Sequence, residues 1–236
     1  MVPAFNEELY LLNTVNNIIK IASRSNIELD IIIVNDGSTD KTQEIIKKLQ
    51  EKYKFIKSIN NQKNLGQGRS LIKVIEIATG DKFLIVAGDG DISNDDLFNL
   101  FKNMNKAEMI FLYFLNRELR GRFRNIVSML YNSFHLLFFD VYIQYISGPC
   151  IYPMDKLKRL KIKSKRISYV AETSIKLLLS GCTYHEVSGH MQRGKVGSST
   201  ISIRNLLDVV SSFIKLLIDT KLLNKKLFNK KSDRVR

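Results

Sequence analysis

The sequence predicts an α/β fold, a mostly parallel sheet flanked by helices, and three observations predict it. Two apolar runs, LDIIIVND (29–36) and KFLIVAGDGD (82–91), are short, partly β-branched and stopped by turn residues, as buried strands are. Segments with apolar residues at helical spacing lie between them. Both runs end in carboxylates, and in open parallel sheets ligands bind outside the carboxyl ends of the strands.

Taken in order, Leu9–Ile21 places Leu12, Val15, Ile18 and Ile19 at helical spacing, and SRSNIE breaks the pattern before the first long strand. GSTDKTQEIIKKLQEKY reads as a turn and a helix with Thr39 or Asp40 as N-cap. Phe55–Ile59 is a short strand, NNQKNLGQGRS a glycine-containing loop, and SLIKVIEIATG a helix closed by Gly80. Lys82–Ala87 is the next strand and Asp95–Asn103 the next helix. Beyond about residue 105, IFLYFL is a strand, NRELRGRFRNIVSMLYNSFHLLFFD is basic and partly helical, and Tyr142–Pro153 is strand-like. KLKRLKIKSKR is a charged connection, and Val170–Ser180 is a helix closed by Gly181. From residue 205 to 218 Leu206, Val209, Val210, Phe213 and Leu217 form an apolar stripe, so residues 205–236 read as a basic amphipathic tail.

With 236 residues, 44% hydrophobic and 25% charged, the chain can bury the core of one large domain. Cys150 and Cys182 show no zinc spacing and make no disulfide framework, which favours a reducing, cytoplasmic setting. MVPAFNEE carries acids where a secretory leader has a basic and then an apolar stretch. The charge-free stretches Asn125–Phe139 and Val141–Met154 fall short of the ~18 apolar residues of a spanning helix. The net charge of +14 concentrates in Lys156–Arg166, with seven basic residues of eleven, and from Lys215 onward. No RNA-binding aromatic signature or zinc-finger spacing accompanies it, so no nucleic-acid partner is expected. An anionic membrane surface is, on the inner face of the cell membrane: the apolar stripe would dip into lipid while Lys221, Lys225, Lys226, Lys230 and Lys231 meet headgroups.

Asp89-Gly90-Asp91 can hold a hard divalent cation, because two close carboxylates are costly unless a cation neutralises them or one protonates. A polar turn with one Asx-type bond is the other reading of the same tripeptide. Asp36-Gly37-Ser38 opens a helix whose N-terminus attracts anions, or is a plain turn and cap. Asn64-Leu65-Gly66-Gln67-Gly68 resembles part of a phosphate loop. His135, His185 and His190 are scattered and read as structural.

VPAFNEE, VNDGSTDKT, NLGQGRS, ATGD and AGDGD, in this order and spacing, closely resemble the nucleotide-sugar domain of family 2 glycosyltransferases of the GT-A, Rossmann-like fold. The dolichyl-phosphate mannosyltransferase-like branch is the most similar one; the resemblance is strong over residues 2–100. It implies a domain at 1–204, with a nucleotide-sugar half at 1–104 and an acceptor half at 105–204. Arg124, Ser128 and Asn132 match an acceptor-side segment of that branch, Glu172 an active-site glutamate, and Arg193 with Ser198-Ser199 a loop that closes over the diphosphate.

The resemblance further implies an inverting, metal-dependent transferase using a UDP- or GDP-sugar and a polyprenyl phosphate or cell-surface glycan acceptor. Pro3, Ala4, Asn6, Glu7, Asp36, Gly37, Ser38, Asn64, Gly66, Gly68 and Asp89 would bind the donor, with Asp36 accepting from the base. Asp89 and Asp91 would hold Mg²⁺ or Mn²⁺, and Arg193 would add positive charge at the diphosphate. Glu172 would be the base for a hydroxyl acceptor, whereas Arg117, Arg120, Arg124 and Ser128 would hold an anionic one. A non-catalytic nucleotide-binding relative, or a transferase to a soluble hydroxyl, are the alternatives. Three departures stand out: fewer residues precede Pro3 than the family's first strand has, leaving apolar edges open; Asn35 replaces a usual Asp; and Ser93 stands where a metal-region Gln is frequent.

Overall fold

The computed structural model describes residues 1–119, 121–191 and 203–235. Strands β1 (Val2–Ala4), β2 (Ile31–Asn35) and β3 (Ile56–Asn60) pair in parallel in that spatial order. Strands β4 (Lys82–Leu84), β5 (Met109–Phe114), β6 (Cys150–Pro153) and β7 (Tyr184–Gly189) follow the order β4-β6-β5-β7. Here β6 is antiparallel to both neighbours, while β5 and β7 are parallel. Backbone bonds join the two groups: Met1 N donates to Leu84 O (2.9 Å), Val86 N to Met1 O (3.0 Å) and Gly88 N to Pro3 O (3.0 Å). Ladder bonds alternate sides along a strand, so the N–H that Pro3 lacks is one that would face Val86. That missing donor is where the two groups part.

β1 is short but covered. Val2, Pro3 and Ala4 are all buried, with β2 on one side and residues 84–88 on the other, so the expected open edge is absent at these residues.

Alternation along β2 explains why helices cover both faces. Ile32 and Val34 join one apolar cluster with Leu71 and Val74, whereas Ile31 and Ile33 join another with Leu11 and Val15. Helices α1 (Leu11–Arg24), α2 (Thr42–Lys52), α3 (Gln67–Ile77) and α4 (Asn94–Lys102) occupy the first half of the chain. Those of the second half are α5 (Arg122–Phe139), α6 (Met154–Arg159), α7 (Tyr169–Leu179) and α8 (Ile203–Ile218). α1, α2 and α4 pack on one face of the sheet; α3, α6 and α7 pack on the other, with the ends of α5 and α8.

Several expectations change: β4 stops at Leu84, only Cys150–Pro153 of the 142–153 segment is a strand, and the 156–166 connection begins inside α6. α3 begins at Gln67, with Gly66 at its N-cap in a backbone conformation of φ 88°, and it ends at Ile77, so Gly80 lies outside it. Strand β7 was not anticipated, because YHEVSG carries no apolar run. Residues 205–236 are not set apart from the domain: Leu216, Asp219 and Thr220 are buried, and Lys230 N donates to Leu179 O (2.9 Å). Tyr184 N donates to Asp233 O (2.9 Å) and Val235 N to Tyr184 O (2.8 Å), so the tail extends the sheet beside β7. Among the described residues no helix is long and apolar enough to cross a membrane.

Candidate active site

The carboxyl ends of β1, β2 and β3 and the chain beyond β4 are drawn together by continuing ladder bonds. Asp36 N donates to Ala4 O (2.9 Å) and Asn61 N to Asn35 O (2.9 Å). The loop after β1 is tied to the loop after β2. Asn6 N donates to Ser38 Oγ (3.0 Å), Thr39 N to Asn6 Oδ1 (2.8 Å) and Glu7 N to Thr42 Oγ1 (2.8 Å). Asn35 Oδ1 accepts from Ser38 N (2.9 Å), a bond three residues on that an Asn oxygen makes as well as an Asp one. Pro3, Ala4, Asn6, Glu7, Gly37 and Ser38 therefore lie together at the ends of β1 and β2.

Asp36 has a different job from the predicted one. It is buried, and it accepts from Asn61 Nδ2 (2.8 Å), Leu65 N (2.9 Å) and Gly66 N (2.9 Å). Both oxygens hold the 61–66 loop in place. A Cβ on Gly68 would meet Ser164 O at 2.3 Å, so the basic connection 163–166 is seated on the first turn of α3.

Asp89 and Asp91 flank Gly90, whose φ of 77° turns the chain sharply at the exit of β4. Asp91 N donates to Asp89 Oδ1 (3.2 Å), so the Asx-type bond of the plain-turn reading is present too. Asp91 is exposed and faces a cleft, and the pair suits a hard cation whose other positions go to phosphate and water. Ser93 is occupied elsewhere: its Oγ accepts from Asp96 N (3.0 Å) and caps α4. Among the described residues, no group of three or more His, Cys, Asp and Glu is placed to hold a metal.

The cleft, of about 430 Å³, joins the two halves of the chain. Pro3, Gln67 and Asp91 of the first half line it together with Arg124, Tyr145, Ser147, Tyr152 and Tyr169 of the second. Gly148 seats the 145–149 segment of this lining against β5, since a Cβ there would meet Leu112 O at 2.3 Å. Gln67 accepts from Tyr169 Oη (3.3 Å), which links donor loop and α7 across the cleft. Tyr145 and Tyr169 carried no motif, whereas Gln67 lay inside NLGQG and was legible in the sequence.

The acceptor-side residues separate. Arg124 reaches the cleft, Ser128 sits half-buried one turn on, and Asn132 holds the 143–146 segment through Ile143 O (3.2 Å) and Ile146 N (2.9 Å). Arg117 is a strap instead, donating to Phe114 O (3.2 Å) and Gln144 O (3.0 Å) over the Tyr145 ring. Arg120, Arg193, Ser198 and Ser199 lie outside the described residues.

Glu172 does not face the cleft. It is buried, and its carboxylate accepts from Lys163 N (2.9 Å), Ser164 N (2.7 Å) and Lys176 Nζ (2.6 Å). A carboxylate so engaged is a structural acceptor for the 163–164 backbone, which corrects its assignment as a general base.

Residues 1–154 match the family described as Glycosyl transferase family 2. The chain belongs to this family. Among relatives of this family 2 chain, a dolichyl-phosphate beta-glucosyltransferase of Trichomonas vaginalis is 32% identical over 46% of the chain and 35% of its own length. The chain thus spans about a third of that relative. An uncharacterised protein of Methanocaldococcus jannaschii is 25% identical over 92% of the chain and 97% of its own length. The fold resembles glucosyl-3-phosphoglycerate synthase from Mycobacterium tuberculosis, with a TM-score of 0.67 at 15% identity over 92% of this chain and 77% of that one. The same synthase has been crystallised with Mn²⁺, UDP and glucosyl-3-phosphoglycerate. The mostly parallel α/β sheet is therefore that of the GT-A glycosyltransferases.

Proposed function

We propose that the chain is an inverting, metal-dependent glycosyltransferase that moves a sugar from a UDP- or GDP-sugar to an acceptor that is already anionic, polyprenyl phosphate being the chemistry that fits best. One observation carries the acceptor choice: among the described residues lining the cleft, Asp91 is the only carboxylate, and Arg124 belongs to the same lining. A hydroxyl acceptor needs a group to take its proton. Asp91 is assigned to the cation, and Glu172 is held by Lys163, Ser164 and Lys176. A phosphate needs no base, and a guanidinium is suited to bind it.

Within this reading the β1 and β2 loops carry the nucleoside, and Asp36 acts through Leu65 and Gly66 by fixing the glycine loop beside the diphosphate. A cation held by Asp89 and Asp91 would supply charge neutralisation of the leaving diphosphate. Arg193 would add positive charge there, and Arg124 would orient the acceptor phosphate for attack on the anomeric carbon. With no carboxylate besides Asp91 among the described residues lining the cleft to form a covalent sugar intermediate, a single displacement would invert that carbon.

The test is release of nucleoside diphosphate from a panel of UDP- and GDP-sugars with Mn²⁺, supplied with polyprenyl phosphate or with the matching polyprenol. Turnover with the phosphate alone, lost in Asp91→Asn, is expected. Equal turnover with the polyprenol would overturn the anionic-acceptor reading. UDP and GDP binding indifferent to Mn²⁺ and to Asp91→Asn would overturn the metal site.

A further inference from the structure

Helix α5 turns several polar side chains inward and leaves most of its large apolar ones exposed. Asn125 Nδ2 donates to Arg117 O (2.8 Å), Asn132 spans Ile143 and Ile146, and His135 Nδ1 donates to Tyr131 O (2.8 Å). Along the opposite face Phe123, Ile126, Leu130, Phe134 and Leu137 follow helical spacing, each 51–73% exposed. No Asp, Glu, Lys or Arg occurs from Asn125 to Phe139. Single exposed apolar residues are ordinary, but an uninterrupted stripe marks an interaction surface.

Helix α8 adds to it. Leu216 faces the core, while Leu207, Val210, Ile214 and Ile218 are exposed at the same spacing. The helices meet at Phe213, whose ring lies 6.3 Å from Phe134 and 5.6 Å from Phe138. Exposed basic groups border the apolar surface: Arg122 and Arg124 at the head of α5, and Lys215, Lys221, Lys225 and Lys226 along and after α8. Glu118 and Asp140, just before and just after α5, are exposed carboxylates, and Asp208 on α8 is half-buried.

We infer that α5 and α8 together lie on an anionic lipid bilayer, with the apolar stripes at the acyl boundary and the bordering cations among the headgroups. Apolar side chains at helical spacing with a basic border are the pattern of interfacial helices, and the chain's net charge of +14 has the sign an anionic leaflet requires. The surface expected from sequence was the tail alone; here the larger uncharged face is α5. Arg124 heads that helix and, with Leu119, lines the cleft, so the cleft opens where the stripe begins. A lipid-borne phosphate would reach Arg124 without leaving the surface; this clause alone rests on the acceptor reading above.

The experiment is co-sedimentation with vesicles of phosphatidylglycerol and phosphatidylcholine, or phosphatidylcholine alone, without nucleotide sugar. Binding to the anionic vesicles that weakens with salt is expected. Ile126→Asp with Leu130→Asp should lower it by about tenfold or more at an unchanged unfolding temperature, since both side chains already face solvent. Leu137→Glu, at the other end of the stripe, gives the same readout should the double variant fold poorly. No binding by the wild-type chain, or equal binding by the folded variants, overturns the inference. So does a wild-type dimer that the variants make monomeric without any vesicle binding, which would make this face an interface between copies. Mn²⁺-dependent UDP or GDP binding, measured separately, stays unchanged in these variants, so failure of the surface and failure of the transferase reading are distinguishable.

Discussion

The ammonium of Lys176 lies 2.6 Å from Glu172 Oε1, with both side chains closed off from solvent. Its other protons go to Asp219 Oδ2 (2.8 Å) and Lys161 O (2.7 Å), which uses all three donors of the lysine. One buried cation thus joins α7, the basic connection and the turn after α8. Lys176→Met leaves two buried carboxylates without it, and the expected loss is about 3–5 kcal/mol of stability by urea unfolding. The acid side follows from Asp219. Burial would raise its carboxyl, but hydrogen bonds from Lys163 and Lys176 hold it below the ordinary 3.8. Its contribution is therefore present above pH 3.8 and lost as pH falls through the lowered value, and Lys176→Met should shrink that loss.

Glu172→Gln separates structure from catalysis. The amide keeps its shape and one acceptor for the 163–164 backbone but leaves Lys176 with a single carboxylate partner. The expected result is a lower unfolding temperature with kcat of the folded enzyme unchanged. A large loss of kcat at an unchanged unfolding temperature would restore Glu172 as the base.

Gly68→Ala tests how the donor loop is seated. The added methyl would meet Ser164 O at 2.3 Å and the Lys165 carbonyl carbon at 2.8 Å, so the 164–165 backbone has to move off α3. Overpacking of this kind costs about 1–3 kcal/mol. Titration calorimetry should also find weaker UDP or GDP binding, because the same turn of helix presents Gln67 to the cleft.

His135 sets a limit at mildly acidic pH. Its ring lies among Tyr131, Phe139 and Phe213, and burial lowers its pKa below 6.5 while the bond to Tyr131 O opposes that shift. The unfolded chain binds the proton first, so stability is present above pH 6.5 and declines as pH falls below it. Between about pH 7.5 and 5.5 the unfolding temperature should drop more in the wild type than in His135→Phe.

Much of the first half was legible because its signals are local. Ile31–Val34 show apolar residues on both faces of a strand, Asp36 follows β2 directly, and Asp89 and Asp91 follow the apolar run that contains β4. Gly66 opening α3 was missed because its left-handed turn depends on Asp36, some thirty residues earlier, accepting from Leu65 and Gly66. Strand β7 was illegible because its burial comes from β5, α4 and the tail rather than from its own composition.

By itself the sequence determined the alternation of strands and helices, the family motifs, and that Asp89 and Asp91 stand two residues apart after an apolar run. Only the tertiary structure decided which acids remain open to a substrate. Asp36 is occupied by a loop, Glu172 by the backbone of 163–164 and by Lys176, and Ser93 by its own helix. A residue's type sets what it can bind, but a buried polar group takes the partners that folding brings within reach, and those lay up to thirty residues away or on another element. Asp91 faces the cleft because the chain turns at Gly90, and Arg124 meets the same cleft because α5 begins at its mouth.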